Sequence, residues 1–117
     1  MHGDDETGRS GIESETRDDG SAVVRPRGEM DIDGAAAFRR AVLEALVGPP
    51  RPPRVVVDLQ DLSFCDSSGL NALLEARNAA TEHGQALHLA APRDQLLRLL
   101  ELTCTTELFT IDPVPPL

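Results

Sequence analysis

Tryptophan and tyrosine are both absent, and three phenylalanines are the only aromatics. Any core must therefore be mainly aliphatic, built from Val, Leu, Ala and the three Phe. Lysine is absent too: all 11 basic residues are arginine, against 20 acids, for a net charge of −9. Such a balance argues against nucleic acid as a partner, because phosphate backbones select clustered Lys and Arg. No apolar run approaches the roughly 18–20 residues that span a bilayer, so no membrane segment is expected. The start, Met1-His2-Gly3-Asp4-Asp5-Glu6, is acidic and lacks the apolar stretch of a signal peptide, so a cytoplasmic location is expected. Cys65 and Cys104 form no CxxC and have no histidine at ligand spacing, so two reduced, packed thiols and no metal site are expected. GxGxxG, GxxxxGK[ST] and GxSxG are all missing. His2, His83 and His88 show no organised partner for general base work. Neither a cofactor nor an enzymatic activity is expected.

The 117 residues suffice for one domain. Residues 1–9 read as a disordered acidic tail, residues 10–112 as the domain and residues 113–117 as a Pro-rich end. Gly11–Thr16 and Ala22–Arg27 read as strands joined by the turn Asp18-Asp19-Gly20, with Pro26 weakening the second. Asp33 is the expected cap of a helix over Gly34–Val47, where Ala37, Phe38, Ala41, Val42, Ala45 and Leu46 recur at helical spacing. Gly48-Pro49-Pro50-Arg51-Pro52-Pro53 ends it in a stiff connector. Arg54–Leu59, with three consecutive valines, suits a strand covered on both faces. A second helix is expected from about Ser68 to His83, with Gly84 just past its end. A short strand, Ala86–Ala90, and a third helix, Arg93–Leu102, with Pro92 as its first residue, follow. Leu108–Ile111 reads as a last extended piece. The order β-β-α-β-α-β-α predicts an α/β fold: a small, mostly parallel sheet with an antiparallel N-terminal edge strand and helices packed against it.

The most informative stretch is Val55–Leu70, an apolar strand that runs into Asp66-Ser67-Ser68-Gly69. Asp66 or Ser67 can cap a helix there, satisfying free backbone N–H groups. The same place tolerates added negative charge, because a helix N-terminus carries free donors and a positive dipole end. A serine at that point is suited to reversible phosphorylation, which adds about −1.5 to −2 of charge. Gly69 reads as room for a partner's close approach. Gly28-Glu29-Met30-Asp31 also follows a strand and precedes a helix, so Asp31 is expected on the same rim as Ser67.

Together these segments resemble the STAS domain of bacterial anti-sigma factor antagonists. Gly28-Glu29-Met30-Asp31 matches that family's G-E-L-D, and Val55–Leu70 its hydrophobic strand followed by D-L and S-F-x-D-S-S-G-L. Leu96–Thr103 is similar to its final amphipathic helix. The resemblance covers about residues 11–112. It implies that Ser67, directly after Asp66, is phosphorylated by an anti-sigma factor serine kinase of the histidine-kinase-like ATPase fold. It further implies that the unphosphorylated form binds that kinase and releases sigma, and that a PP2C-type phosphatase restores it. Asp31, Asp66, Ser68, Gly69 and Asn71 would then form the partner-binding surface. Three positions depart from the pattern. Asn71 stands where a small residue, often Gly, is usual; Pro26 replaces an apolar strand residue; and Cys104 takes the place of a Gly after the last long helix. The alternative is a non-catalytic STAS subunit of a transport or other multiprotein assembly.

Overall fold

A computed structural model describes residues 11–116; the tail expected over residues 1–9 lies outside the described residues, as does Leu117. The strands are β1 (Ile12–Thr16), β2 (Ala22–Pro26), β3 (Gly28–Met30), β4 (Arg54–Asp58), β5 (Leu62–Cys65), β6 (Ala86–Ala90) and β7 (Thr110–Asp112). The helices are α1 (Ile32–Val47), α2 (Ser67–Glu82) and α3 (Asp94–Leu102), with a 3₁₀ turn at Thr106–Leu108.

The main sheet has the order β1-β2-β4-β6-β7, antiparallel between β1 and β2 and parallel elsewhere. This is the expected α/β architecture. Along each strand alternate residues take opposite faces. Val24, Val55, Val57, Leu87 and Leu89 meet Phe38, Val42 and Leu46 of α1, Leu73 and Ala76 of α2, and Leu96 and Leu100 of α3 in one core. Val23, Val56 and Ala90 form a small apolar floor on the other face. Pro26 is accommodated at the end of β2. Arg27 N–H reaches Gly11 C=O at 3.1 Å, whereas the Pro26 nitrogen faces the β4 side, where pairing has already stopped at Val24↔Val57.

The structure departs from the sequence reading in several places. Two strands, β3 and β5, were not expected; they pair in parallel as a separate two-stranded sheet. Asp31, not Asp33, caps α1, accepting the Gly34 N–H at 2.9 Å, and Asp33 lies within the first turn. Ala37 is exposed, so the buried stripe of α1 is carried by Ala35, Phe38, Val42 and Leu46. The third helix starts at Asp94, with Arg93 as its cap position, so Pro92 precedes the helix. Cys104 is exposed, in contrast to the packed thiol expected, while Cys65 is buried.

Cys104 also occupies an unusual backbone position. Helix α2 ends with Gly84 at φ +71°, its N–H on Thr81 C=O (3.1 Å) and Gln85 N–H on Ala80 C=O (2.8 Å). Helix α3 ends with the same bond pattern, Cys104 N–H on Glu101 C=O (3.1 Å) and Thr105 N–H on Leu100 C=O (2.9 Å), but with cysteine at φ +59°. This reversal is a Schellman motif, which favours glycine because a Cβ is crowded in the left-handed region. Cys104→Gly is expected to stabilise the fold by about 0.5–1 kcal/mol, the relief of strain exceeding the added entropy of the unfolded chain. Urea unfolding measures this, and an unchanged or lower midpoint would contradict it.

Candidate functional site

The small sheet builds the site. Both β3 and β5 end in a paired residue, Met30↔Cys65, and both run directly into an aspartate and then a helix. Asp66 N–H points at Met30 C=O across 3.5 Å. The two aspartates therefore stand side by side at the carboxyl ends of parallel strands, each capping its own helix. Asp66 Oδ1 accepts from Ser68 N–H (2.9 Å) and Gly69 N–H (3.2 Å), so Asp66 rather than Ser67 is the cap. This leaves the Ser67 hydroxyl free of the capping role, on the exposed first residue of α2.

Asp31, Ser67 and Asn71 are exposed and Ser68 is half-buried. Ser68 and Asn71 line a shallow groove of about 390 Å³ between α1 and α2, with Ile32, Ala35, Ala36, Leu74 and an Arg39–Glu75 ion pair as its other walls. Two large apolar residues near these positions in the chain are in the open: Ile32, next to Asp31, is 71% exposed, and Phe64, two residues before Asp66, is 44% exposed. The structure thus brings Asp31, Asp66, Ser67, Ser68 and Asn71 to one rim.

Gly69 belongs elsewhere. It is buried, and a Cβ there would lie 2.5 Å from Cys65 Sγ and 3.0 Å from Met30 Sδ. Its missing side chain lets α2 sit against the small sheet, which replaces the expectation that it faces a partner. Cys65 is packed in that contact. Burial, and then the Asp66 charge, push its thiol up to about 12, so at neutral pH it stands as the neutral thiol.

The other side of the main sheet carries charge. Arg17 pairs with Glu15 (2.7 Å), Arg54 with Asp19 (3.2 Å) and His88 Nδ1 with Asp112 Oδ2 (3.2 Å) around the Val23–Val56–Ala90 floor, in a groove of about 830 Å³. Sequence reasoning assigned His88 no partner; Asp112 is 24 residues away and is delivered by the β6–β7 pairing. Ser21 Oγ in this groove is committed to Asp19 at 2.7 Å. Among the described residues no cluster of three or more His, Cys, Asp or Glu is gathered to hold a metal, and no helix is long and apolar enough to cross a membrane.

Residues 14–109 match the family model described as "Mlab, STAS domain". An anti-sigma factor antagonist from Mycobacterium paratuberculosis is 28% identical, with 88% of this chain and 85% of that one covered and a TM-score of 0.75. The Bacillus cell fate determinant SpoIIAA, in its phosphorylated form, is 18% identical, with 86% and 89% covered and a TM-score of 0.67. A sulfate transporter family protein from Wolinella succinogenes is 19% identical, with 81% and 78% covered and a TM-score of 0.71. The last two similarities are of fold alone.

Proposed function

The chain belongs to the STAS domain family, and from that premise we propose that it is a cytoplasmic anti-sigma factor antagonist switched by phosphorylation of Ser67. The observation that carries this reading is the exposed Ser67 hydroxyl, on the first residue of a helix already capped by Asp66 and beside the α1–α2 groove. The 28% identical antagonist supports the general role.

The hydroxyl is a substrate for another protein's active site. Its oxygen attacks the γ-phosphate of ATP held by an anti-sigma factor serine kinase of the histidine-kinase-like ATPase fold; ADP leaves, and the serine proton passes to a base of the kinase. The product dianion sits where the α2 dipole favours it, so the fold tolerates it. A partner resting on Asp31, Ser68, Asn71 and the groove meets it together with the Asp31 and Asp66 carboxylates. Like-charge juxtaposition at an interface costs several kcal/mol, enough to release the partner. A PP2C-type phosphatase returns the protein to its binding form. The binding unit is residues 10–112.

The test is intact-mass analysis after incubation with Mg-ATP and serine kinases of that fold, followed by peptide mapping. One phosphate, on Ser67, is expected. Ser67→Ala should take none and still bind the kinase, and Ser67→Asp should bind at least roughly tenfold more weakly. Phosphate on Ser68 alone, or loss of binding in Ser67→Ala as deep as in Ser67→Asp, refutes the switch. A sulfate transporter family protein shares the fold, and the second reading is a non-catalytic subunit of a transport or other multiprotein assembly. Co-purification with a permease and not with a kinase would select it.

A further inference from the structure

Strand β5 has β3 on one edge only, yet its end is hydrogen-bonded on both edges, to Met30 through the Asp66 N–H and to Gln95 through Cys65. In a strand the N–H and C=O of one residue point to the same side, and those of its neighbours to the other. The Asp66 N–H points towards β3, so the peptide groups of Cys65 point away from it. There the Gln95 side chain meets both: Oε1 accepts the Cys65 N–H at 2.9 Å, and Nε2 donates to the Cys65 C=O at 2.8 Å. A carboxamide has the same donor and acceptor as a peptide group. One side chain of α3 thus stands in for a third strand, at the residue from which the serine turn departs.

The rest of α3 keeps that side chain in place. Leu96 and Leu100 are buried in the main core, and Arg93 Nε donates to Gln60 C=O at 2.9 Å, just before β5. The cap residue and first turn of α3 therefore grip the chain just before β5 and at its last residue, while Cys65 Sγ packs where Gly69 leaves space.

We propose that Gln95 is a positioning residue that fixes the direction of the Asp66–Ser67 turn and so presents Ser67 to the kinase. The presentation rests on Ser67 being the acceptor; the mechanical part does not. Gln95→Met keeps the bulk and removes both hydrogen bonds, and Gln95→Glu keeps the acceptor and removes the donor. Amide hydrogen exchange by NMR is expected to accelerate at least roughly tenfold over residues 65–69 in Gln95→Met, and less in Gln95→Glu, with Val55–Val57 unchanged. With a kinase that modifies the wild-type protein, the rate of phosphate transfer to Gln95→Met should fall at least several-fold. Unchanged exchange over 65–69, an equal rise at Val55–Val57, or an unchanged transfer rate overturns the proposal. If the wild-type protein takes no phosphate, the Ser67 reading fails by itself, and the exchange comparison still decides whether Gln95 holds the turn.

Discussion

Exchanging Arg25 for methionine is expected to destabilise the fold by about 3 kcal/mol at neutral pH, the lower end of what breaking a buried ion pair costs. The Asp58 side chain, at the end of β4, is wholly buried. Arg25 Nε reaches its Oδ2 at 2.7 Å from the neighbouring strand, and the Gln60 side chain and backbone N–H supply further bonds at 2.8 and 3.2 Å. Burial works to raise the Asp58 carboxyl, but the bonds from Arg25 and Gln60 together hold it below its ordinary value of 3.8. A carboxyl depressed in the folded state contributes stability above its unfolded value and loses it as pH falls through the folded one. In Arg25→Met, burial is opposed by Gln60 alone, so the carboxyl protonates at a higher pH than in the wild type. The gap between the two proteins should then be widest at neutral pH, narrow as the variant's carboxyl protonates, and close only below pH 3.8, where the wild type's depressed carboxyl protonates as well. Urea unfolding as a function of pH reads this directly. A gap that stays constant with pH would assign the loss to the packed stem of Arg25 instead of its charge.

Gly69→Ala should cost about 1–3 kcal/mol, although alanine is the better helix former. The added Cβ meets Cys65 Sγ at 2.5 Å and Met30 at 3.0–3.1 Å, and both neighbours are buried with little room to yield. Cys65→Ala removes the sulfur the new methyl strikes. The double variant should therefore be more stable than the sum of the two single losses predicts, by about 1 kcal/mol. Additive losses in a thermal or urea cycle would show that the clash is not the cause.

The long elements were readable because their signals are long. Val55–Val57 is buried on both faces, and Phe38, Val42 and Leu46 repeat over more than two turns. The small sheet was not readable, because three- and four-residue strands are too short to show a period. Leu62 and Cys65 are buried while Ser63 and Phe64 are both exposed, which is not alternation. The cap of α1 was misplaced because Asp31 and Asp33 compete two residues apart, and only the Gly34 N–H chooses between them. The turn Asp66-Ser67-Ser68 was legible as a helix start, and the rim it shares with Asp31 followed from strand order. Gly69 was assigned outward because a glycine beside a serine turn looks the same in sequence whether it serves a partner or the core. Gln95 carried no signal at all: its role depends on a bond spanning 30 residues.

The two-stranded sheet shares no strand with the five-stranded one. The backbone that aims the serine turn is therefore hydrogen-bonded apart from the main sheet, although Met30, Leu62 and Cys65 share its core. Substitutions in β3, β5 and the caps that follow them can re-aim the serine turn while the valine registers of β2, β4 and β6 stay as they are. With Ser67 as the acceptor proposed above, such changes would alter which kinase the turn fits while the five-stranded sheet keeps its pairing.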